Sequence, residues 1–193
     1  MKVQLFTDYA CPFCMIQKEI LKKFPEVEVE CMYMEIHPEV PEDGGRAEEL
    51  LGREYIENIN GKLDHYGTPY GITPSLNGYM ANSRKSLVAR AYISIKYPDK
   101  VEAYDDAMYR AYNIEGRNIG NETVIDEILQ SVGITYPVRE MLMDRDAKDE
   151  YEKRRRVVMD SGVRITPSFG INGQIIPGLK TEDKLRDLLS SAK

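Results

Sequence analysis

Cys11-Pro12-Phe13-Cys14 sets two thiols three residues apart where a β-prone start gives way to helical periodicity. Val3, Leu5 and Phe6 predict a strand, and Thr7-Asp8-Tyr9-Ala10 a loop. Ile16, Ile20, Leu21 and Phe24 then recur at helical spacing until Pro25. Thiols across a helix start are close enough to form a disulfide, and the unpaired N–H groups and dipole there favour a thiolate. The chemistry expected is thiol–disulfide exchange. Cys11, at the loop–helix junction, is the expected nucleophile, with its sulfur partly exposed. Cys14, inside the first turn, is the expected resolving thiol and the more buried. Pro12 restrains the turn without an N–H, and Phe13 adds an apolar face beside the sulfur.

Other residues could join this chemistry. Asp8 is either a proton acceptor for Cys14, by way of water, or a loop carboxylate capping the helix. As a carboxylate beside a thiolate it would raise that thiol's pKa rather than activate it. Cys31 is expected as a small buried hydrophobe on a central strand, with a redox role as the alternative. His37 follows that strand at the rim, and His65 reads as solvated in a polar loop. Cys11, Cys14, Cys31 and His37 have zinc-compatible types, but a structural zinc site brings two short-spaced pairs and only one is present, so no metal is expected. Lys153-Arg154-Arg155-Arg156 reads as a solvated helix face balanced by Asp149, Glu150 and Glu152.

The net charge of −6 argues against a nucleic-acid partner or a polybasic membrane patch. No apolar run is long enough for a transmembrane helix. With Met1 as the native start, Thr7-Asp8 interrupts any signal-peptide core, which predicts a cytoplasmic protein. Three cysteines there suggest redox thiols rather than structural bridges.

Residues 27–36 alternate as a largely buried strand, with Val27, Val29, Cys31 and Tyr33 on one face and Met32, Met34 and Ile36 on the other. About a hundred helical residues follow. Their stripes are Leu50, Leu51, Tyr55, Ile56, Ile59; Leu87, Val88, Ala91, Tyr92, Ile95 after Asn82-Ser83; Val101, Tyr104, Met108, Ala111, Tyr112; and Val124, Ile125, Ile128, Leu129, Val132 after Asn121. Such stripes are read as packing faces. A charged helix from Asp144 to Ser161 leads to Thr166-Pro167 and a strand. Asn172-Gly173 makes a hairpin turn to Gln174-Ile175-Ile176, and Thr181 opens a last helix. Without the middle block the order is β-α-β-α-β-β-α, that of thioredoxin. The expected fold is therefore α/β and thioredoxin-like, with residues 1–40 and 141–193 forming that domain. Residues 41–140 form an all-helical insertion between the second strand and the second thioredoxin helix. Thr166-Pro167, just before the third strand, takes the place of the cis-proline that faces the cysteines in that fold. X–Pro bonds alone adopt cis cheaply.

Asp8-Tyr9-Ala10-Cys11-Pro12-Phe13-Cys14, Glu35-Ile36-His37-Pro38-Glu39-Val40-Pro41, Asn82-Ser83, residues 109–120 and Gly162-Val163-Arg164-Ile165-Thr166-Pro167-Ser168-Phe169 together resemble the DsbA family, within it the cytosolic FrnE-like branch. The resemblance runs nearly end to end. It implies a protein disulfide oxidoreductase or isomerase, with Cys11 and Cys14 catalytic and Pro12, Phe13, Thr166 and Pro167 contacting substrate. It implies no bound cofactor, with glutathione as a potential co-substrate. The implied partners are a disulfide-containing protein or small thiol and a cytosolic reductant. The same fold hosts 2-hydroxychromene-2-carboxylate isomerases and kappa-class glutathione transferases, which typically carry serine at the first cysteine position. A glutathione-dependent transferase or isomerase is the first alternative, and a non-catalytic chaperone-like module the second.

Overall fold

The computed structural model describes residues 2–76 and 78–191. Strand β1 (Lys2–Thr7) leads into α1 (Pro12–Leu21) and β2 (Glu28–Tyr33). Then come β3 (Gly45–Arg46), α2 (Ala47–Leu51), α3 (Arg53–Gly67), β4 (Tyr79–Met80), α4 (Arg84–Lys96), α5 (Val101–Asn113), α6 (Glu122–Ser131) and α7 (Val138–Met143). The chain closes with α8 (Arg145–Asp160), β5 (Ser168–Ile171), β6 (Gln174–Pro177) and α9 (Glu182–Ser191).

The main sheet has the order β2-β1-β5-β6, with β1 parallel to β2 and antiparallel to β5. Leu5 pairs with both Cys31 and Phe169, so the strand before the dithiol is clamped on both edges. Val3, Leu5, Phe169 and Ile171 bury one sheet face against Ile16 and Ile20 of α1 and Leu185 and Leu189 of α9. On the other face Phe6 and Met32 pack on Val158 of α8 and on Val163. The β5–β6 turn has Asn172 at φ 50° and Gly173 at φ 77°, the left-handed pair a two-residue hairpin requires. Gln17, a polar residue on the buried side of α1, receives the Lys180 N–H at 2.6 Å and donates to the Lys180 carbonyl at 3.3 Å, which ties α1 to the segment before α9.

The helical block is organised around α4, where Ser86 through Ile93 are all buried. A helix buried around its middle needs partners on several sides, and α4 packs against α5, α7 and α8 together. Asn121 and Asp144 cap α6 and α8 with their side chains. Asn82 Oδ1 accepts the Arg84 N–H at 2.9 Å ahead of α4.

Several expectations are corrected. The second strand is shorter than residues 27–36, and β2 lies at the sheet edge rather than the centre, because β5 takes the other side of β1. The inserted region is not all-helical: β3 and β4 form a two-stranded antiparallel ribbon. The stripe at residues 50–59 is broken by Gly52 at φ 81°, which separates α2 from α3. Only Ile56 of that stripe is buried, while Leu50 and Tyr55 are 51% and 53% exposed. His65 sits within α3 rather than in a loop.

Phe169 is fully buried where β1, α1 and α9 meet. Phe169→Ala should cost about 3–5 kcal/mol of unfolding free energy, read from the midpoint of a denaturant titration.

Candidate active site

Cys11 is the N-cap of α1, with φ −109° and ψ 106°, and its carbonyl accepts the Cys14 N–H at 3.0 Å. Pro12 takes the first helical position, where an N–H would have no partner in any case. Cys14 is therefore the third helical residue, with its side chain drawn into the core at 0% exposure. Cys11, Cys14 and Cys31 are all free thiols.

Cys11 is only 4% exposed, against the expectation of a partly open sulfur. The cover comes from the helical block and from the loop before β5. The Cys11 thiol donates to the Thr166 carbonyl at 3.5 Å, and the Thr166–Pro167 peptide is cis. The Pro167 carbonyl accepts the Gly178 N–H at 2.8 Å, which fixes this loop to the end of β6. The Thr166 hydroxyl is buried and makes no hydrogen bond other than the one it can offer the Cys11 sulfur.

These surroundings displace the two thiols in opposite directions. Burial alone would push Cys11 up. The Cys14 thiol, the Thr166 side chain and the Cys14 backbone N–H favour its charged form, and the net shift is downward. Cys14 is pushed well up, first by burial, then by its hydrogen bond to Cys11 and by that sulfur's charge.

Asp8 is completely buried and does not cap α1. Its two carboxylate oxygens accept N–H groups from Ile36 at 2.9 Å and Ala10 at 3.2 Å. Burial raises its pKa from the ordinary 3.8 to about 6, against those hydrogen bonds and one from Ser83. Its charge opposes the Cys11 thiolate.

Behind the dithiol lies a polar and aromatic cluster that sequence reasoning missed. Arg90 grips Asp105 through Nε at 2.9 Å and Nη2 at 3.2 Å, and its guanidinium lies 4.3 Å from the centre of the Tyr33 ring. Tyr9 donates its hydroxyl to Asp105 and packs on Tyr33 with ring centres 4.8 Å apart. Asn113 Nδ2 donates to the Tyr9 carbonyl at 3.0 Å, and the Thr7 and Tyr109 hydroxyls share a hydrogen bond. The available signal was Arg90 itself, a cation within the apolar run Leu87–Ile93.

Over Cys11 opens a cleft of about 170 Å³ lined by Pro12, Phe13, Ile36, His37, Thr166 and apolar residues of the inserted region. Pro12, Phe13 and Thr166 thus share one cavity with Cys11, and Pro167 is buried beside it in sequence. Cys31 is half-buried and lines a different cavity of about 460 Å³, with Lys18, Arg90 and Asp105. Burial pushes its thiol up to about 11, so it is a poor nucleophile. His37 lies on the cleft rim 3.1 Å from Glu39, and His65 packs on Tyr66. Among the described residues no group of three or more His, Cys, Asp or Glu is placed to hold a metal ion, and no helix is long and apolar enough to cross a membrane.

Comparison with known proteins accounts for this architecture. Residues 2–190 match the DSBA-like thioredoxin domain, and the chain belongs to that family. A “probable DsbA oxidoreductase” from Streptomyces coelicolor superposes with a TM-score of 0.82 at 22% identity, covering 100% of this chain and 89% of that one. A 2-hydroxychromene-2-carboxylate isomerase gives 0.74 at 16% identity, covering 99% and 94%. The cytosolic disulfide reductase DsbM from Pseudomonas aeruginosa, with GSH, gives 0.62 at 16% identity, covering 99% and 98%. At these identities the likeness is one of fold.

Two outcomes follow from the geometry. Arg90→Ala leaves the Asp105 carboxylate buried and unpaired, and should cost about 3–5 kcal/mol in chemical denaturation. Folding raises the Asp8 pKa from 3.8 to about 6, so the folded state holds that proton more tightly and stability falls as pH rises across that interval. Asp8→Asn should flatten this slope. It should also move the Cys11 thiolate titration, followed by absorbance near 240 nm, to lower pH, with the difference confined to pH above about 6.

Proposed function

We propose that this member of the family is a thiol–disulfide oxidoreductase in which Cys11 attacks and Cys14 resolves. The observation that carries the reading is one arrangement: a dithiol at a helix start, facing the cis Thr166–Pro167 loop, its two sulfurs displaced in opposite directions. A lowered Cys11 supplies the thiolate that exchange requires, while a raised Cys14 keeps its proton until the first step is complete.

The steps balance as follows. The Cys11 thiolate forms a bond to one sulfur of a substrate disulfide, and the substrate S–S bond breaks to release one thiolate, which takes a proton. Cys14 then gives up its proton and attacks the Cys11 sulfur, which closes the Cys11–Cys14 disulfide and expels the second substrate thiolate. Two electrons pass from the dithiol to the substrate, and the reverse sequence oxidises a dithiol substrate. Asp8 is the group we assign to take the Cys14 proton, by way of water. Its pKa of about 6 leaves it an acceptor at neutral pH, although both its oxygens also hold backbone N–H groups of Ala10 and Ile36. Once the thiol leaves the Thr166 carbonyl, that oxygen is free to bind substrate beside the exchanging sulfur. Pro12, Phe13 and Pro167 form the apolar collar round the exchanging sulfurs. The cytosolic, FrnE-like assignment and the absence of any bound cofactor belong to the same proposal. A kappa-class or chromene-isomerase type of reaction would use glutathione and has no need of the second thiol.

Equilibration against glutathione buffers with thiol trapping should give a reversible Cys11–Cys14 couple between about −270 and −120 mV, with its position deciding between reductant and oxidant. Cys14→Ser should accumulate a mixed disulfide on Cys11, visible by mass spectrometry, and Cys11→Ser should abolish exchange. A protein that forms no intramolecular disulfide, or a Cys11→Ser variant with full activity, would sink the assignment.

A further inference from the structure

We infer that the cleft selects a small, uncharged, apolar disulfide or thiol over glutathione. This rests on the oxidoreductase reading and names the substrate class for the same site.

The lining carries the argument. Beyond Cys11 and its neighbours, the walls are Leu51, Tyr55, Ile59, Leu76, Met80 and Tyr112, with Ile36 and His37 from the chain after β2. Among the described residues, no lysine, arginine, aspartate or glutamate lines it. Each arm of glutathione carries two carboxylates and one ammonium, and burying those groups beside leucine and methionine without partners is costly. Arg53 and Lys62 line a separate open groove that shares Leu51, Tyr55 and Ile59 with the cleft, so these three side chains stand between the two spaces.

The nearby fixed charge also disfavours an anion. Asp8 is buried behind the thiols and ionised above about pH 6.

Size points the same way. Pockets for drug-sized ligands hold roughly 300–1,000 Å³. A dry apolar cavity of about 150 Å³ is enough for one benzene ring. The space over Cys11, about 170 Å³ and open to solvent on one side, holds one aromatic ring or a short aliphatic chain next to the reacting sulfur. Cys11 itself is 4% exposed, so a disulfide on a folded protein surface meets the wall of α3 before it meets the sulfur. The Thr166 hydroxyl adds a neutral donor to this lining, suited to a sulfur or a carbonyl rather than to an ion pair.

The test is a competition of oxidants on the reduced full-length protein. Stopped-flow rates of Cys11–Cys14 oxidation would be measured with bis(2-hydroxyethyl) disulfide, dipropyl disulfide and oxidised glutathione. Each would be divided by its rate with a free small thiol at the same pH and salt. The neutral pair should exceed glutathione by roughly tenfold or more, with dipropyl disulfide the faster of the two. Tyr55 is half-exposed on α3, and Tyr55→Lys should raise the glutathione rate relative to the neutral pair. Glutathione matching or outpacing the neutral disulfides, a protein disulfide outpacing all three, or a ratio unmoved by Tyr55→Lys would each overturn the inference while leaving a working dithiol. Failure of every oxidant to close the Cys11–Cys14 bond would instead remove the oxidoreductase reading, and this inference with it.

Discussion

A guanidinium and a carboxylate taken out of water must satisfy each other, and everything near the dithiol accommodates that demand. Arg90 from α4 and Asp105 from α5 meet side-on beneath the loop that carries Cys11. One pair cannot use all the donors and lone pairs available, and the remainder is spent on the loop itself. Tyr9 donates to Asp105, and Tyr33 presents its ring face to Arg90. Because Tyr9 lies two residues before Cys11, the ion pair sets where α1 begins. Breaking such a pair is costly, whereas its net contribution to folding is small, so its weight here lies in fixing position.

The same loop explains how two cysteines in one turn of helix come to differ. Both are buried, so burial is not what separates them. The difference lies in what each sulfur faces. Cys11 faces the Cys14 amide and thiol and the Thr166 side chain, while Cys14 faces Cys11, the Thr7 side chain and the Asp8 backbone. A charge is tolerated at Cys11 because the donors facing it outweigh its burial, and is excluded from Cys14 because burial and the neighbouring Cys11 sulfur outweigh the Thr7 and Asp8 donors.

What could be read from the sequence was local. A proline and two thiols at a helix start, the Asn172-Gly173 turn, and the Asn121 cap are decided within a few residues, and the structure places each as expected. The Thr166–Pro167 loop was legible because only proline makes a cis bond inexpensive. What stayed hidden depends on distant partners. Nothing near Cys31 says that β5 will take the far side of β1 and leave β2 at the edge. The β3–β4 ribbon has two residues per strand, too short for any alternation to register. Gly52 sits inside a continuous apolar stripe, and its positive φ is set by the turn from α2 to α3. The burial of Cys11 is wholly non-local, since its cover arrives from α3, α5 and residue 166.

The pairing of β1 with β5 has a consequence during synthesis. Phe6 lies opposite Ser168, so the sheet that seats the dithiol cannot close until most of the chain has been made. At translation rates of about 5–20 residues per second, the stretch between them takes roughly 8–30 s to emerge. Through that interval the Cys11 thiol has neither the Thr166 carbonyl nor the loop that later covers it. The nascent chain thus presents a bare pair of thiols, and the reducing strength of its surroundings then decides whether the finished molecule starts life as dithiol or disulfide.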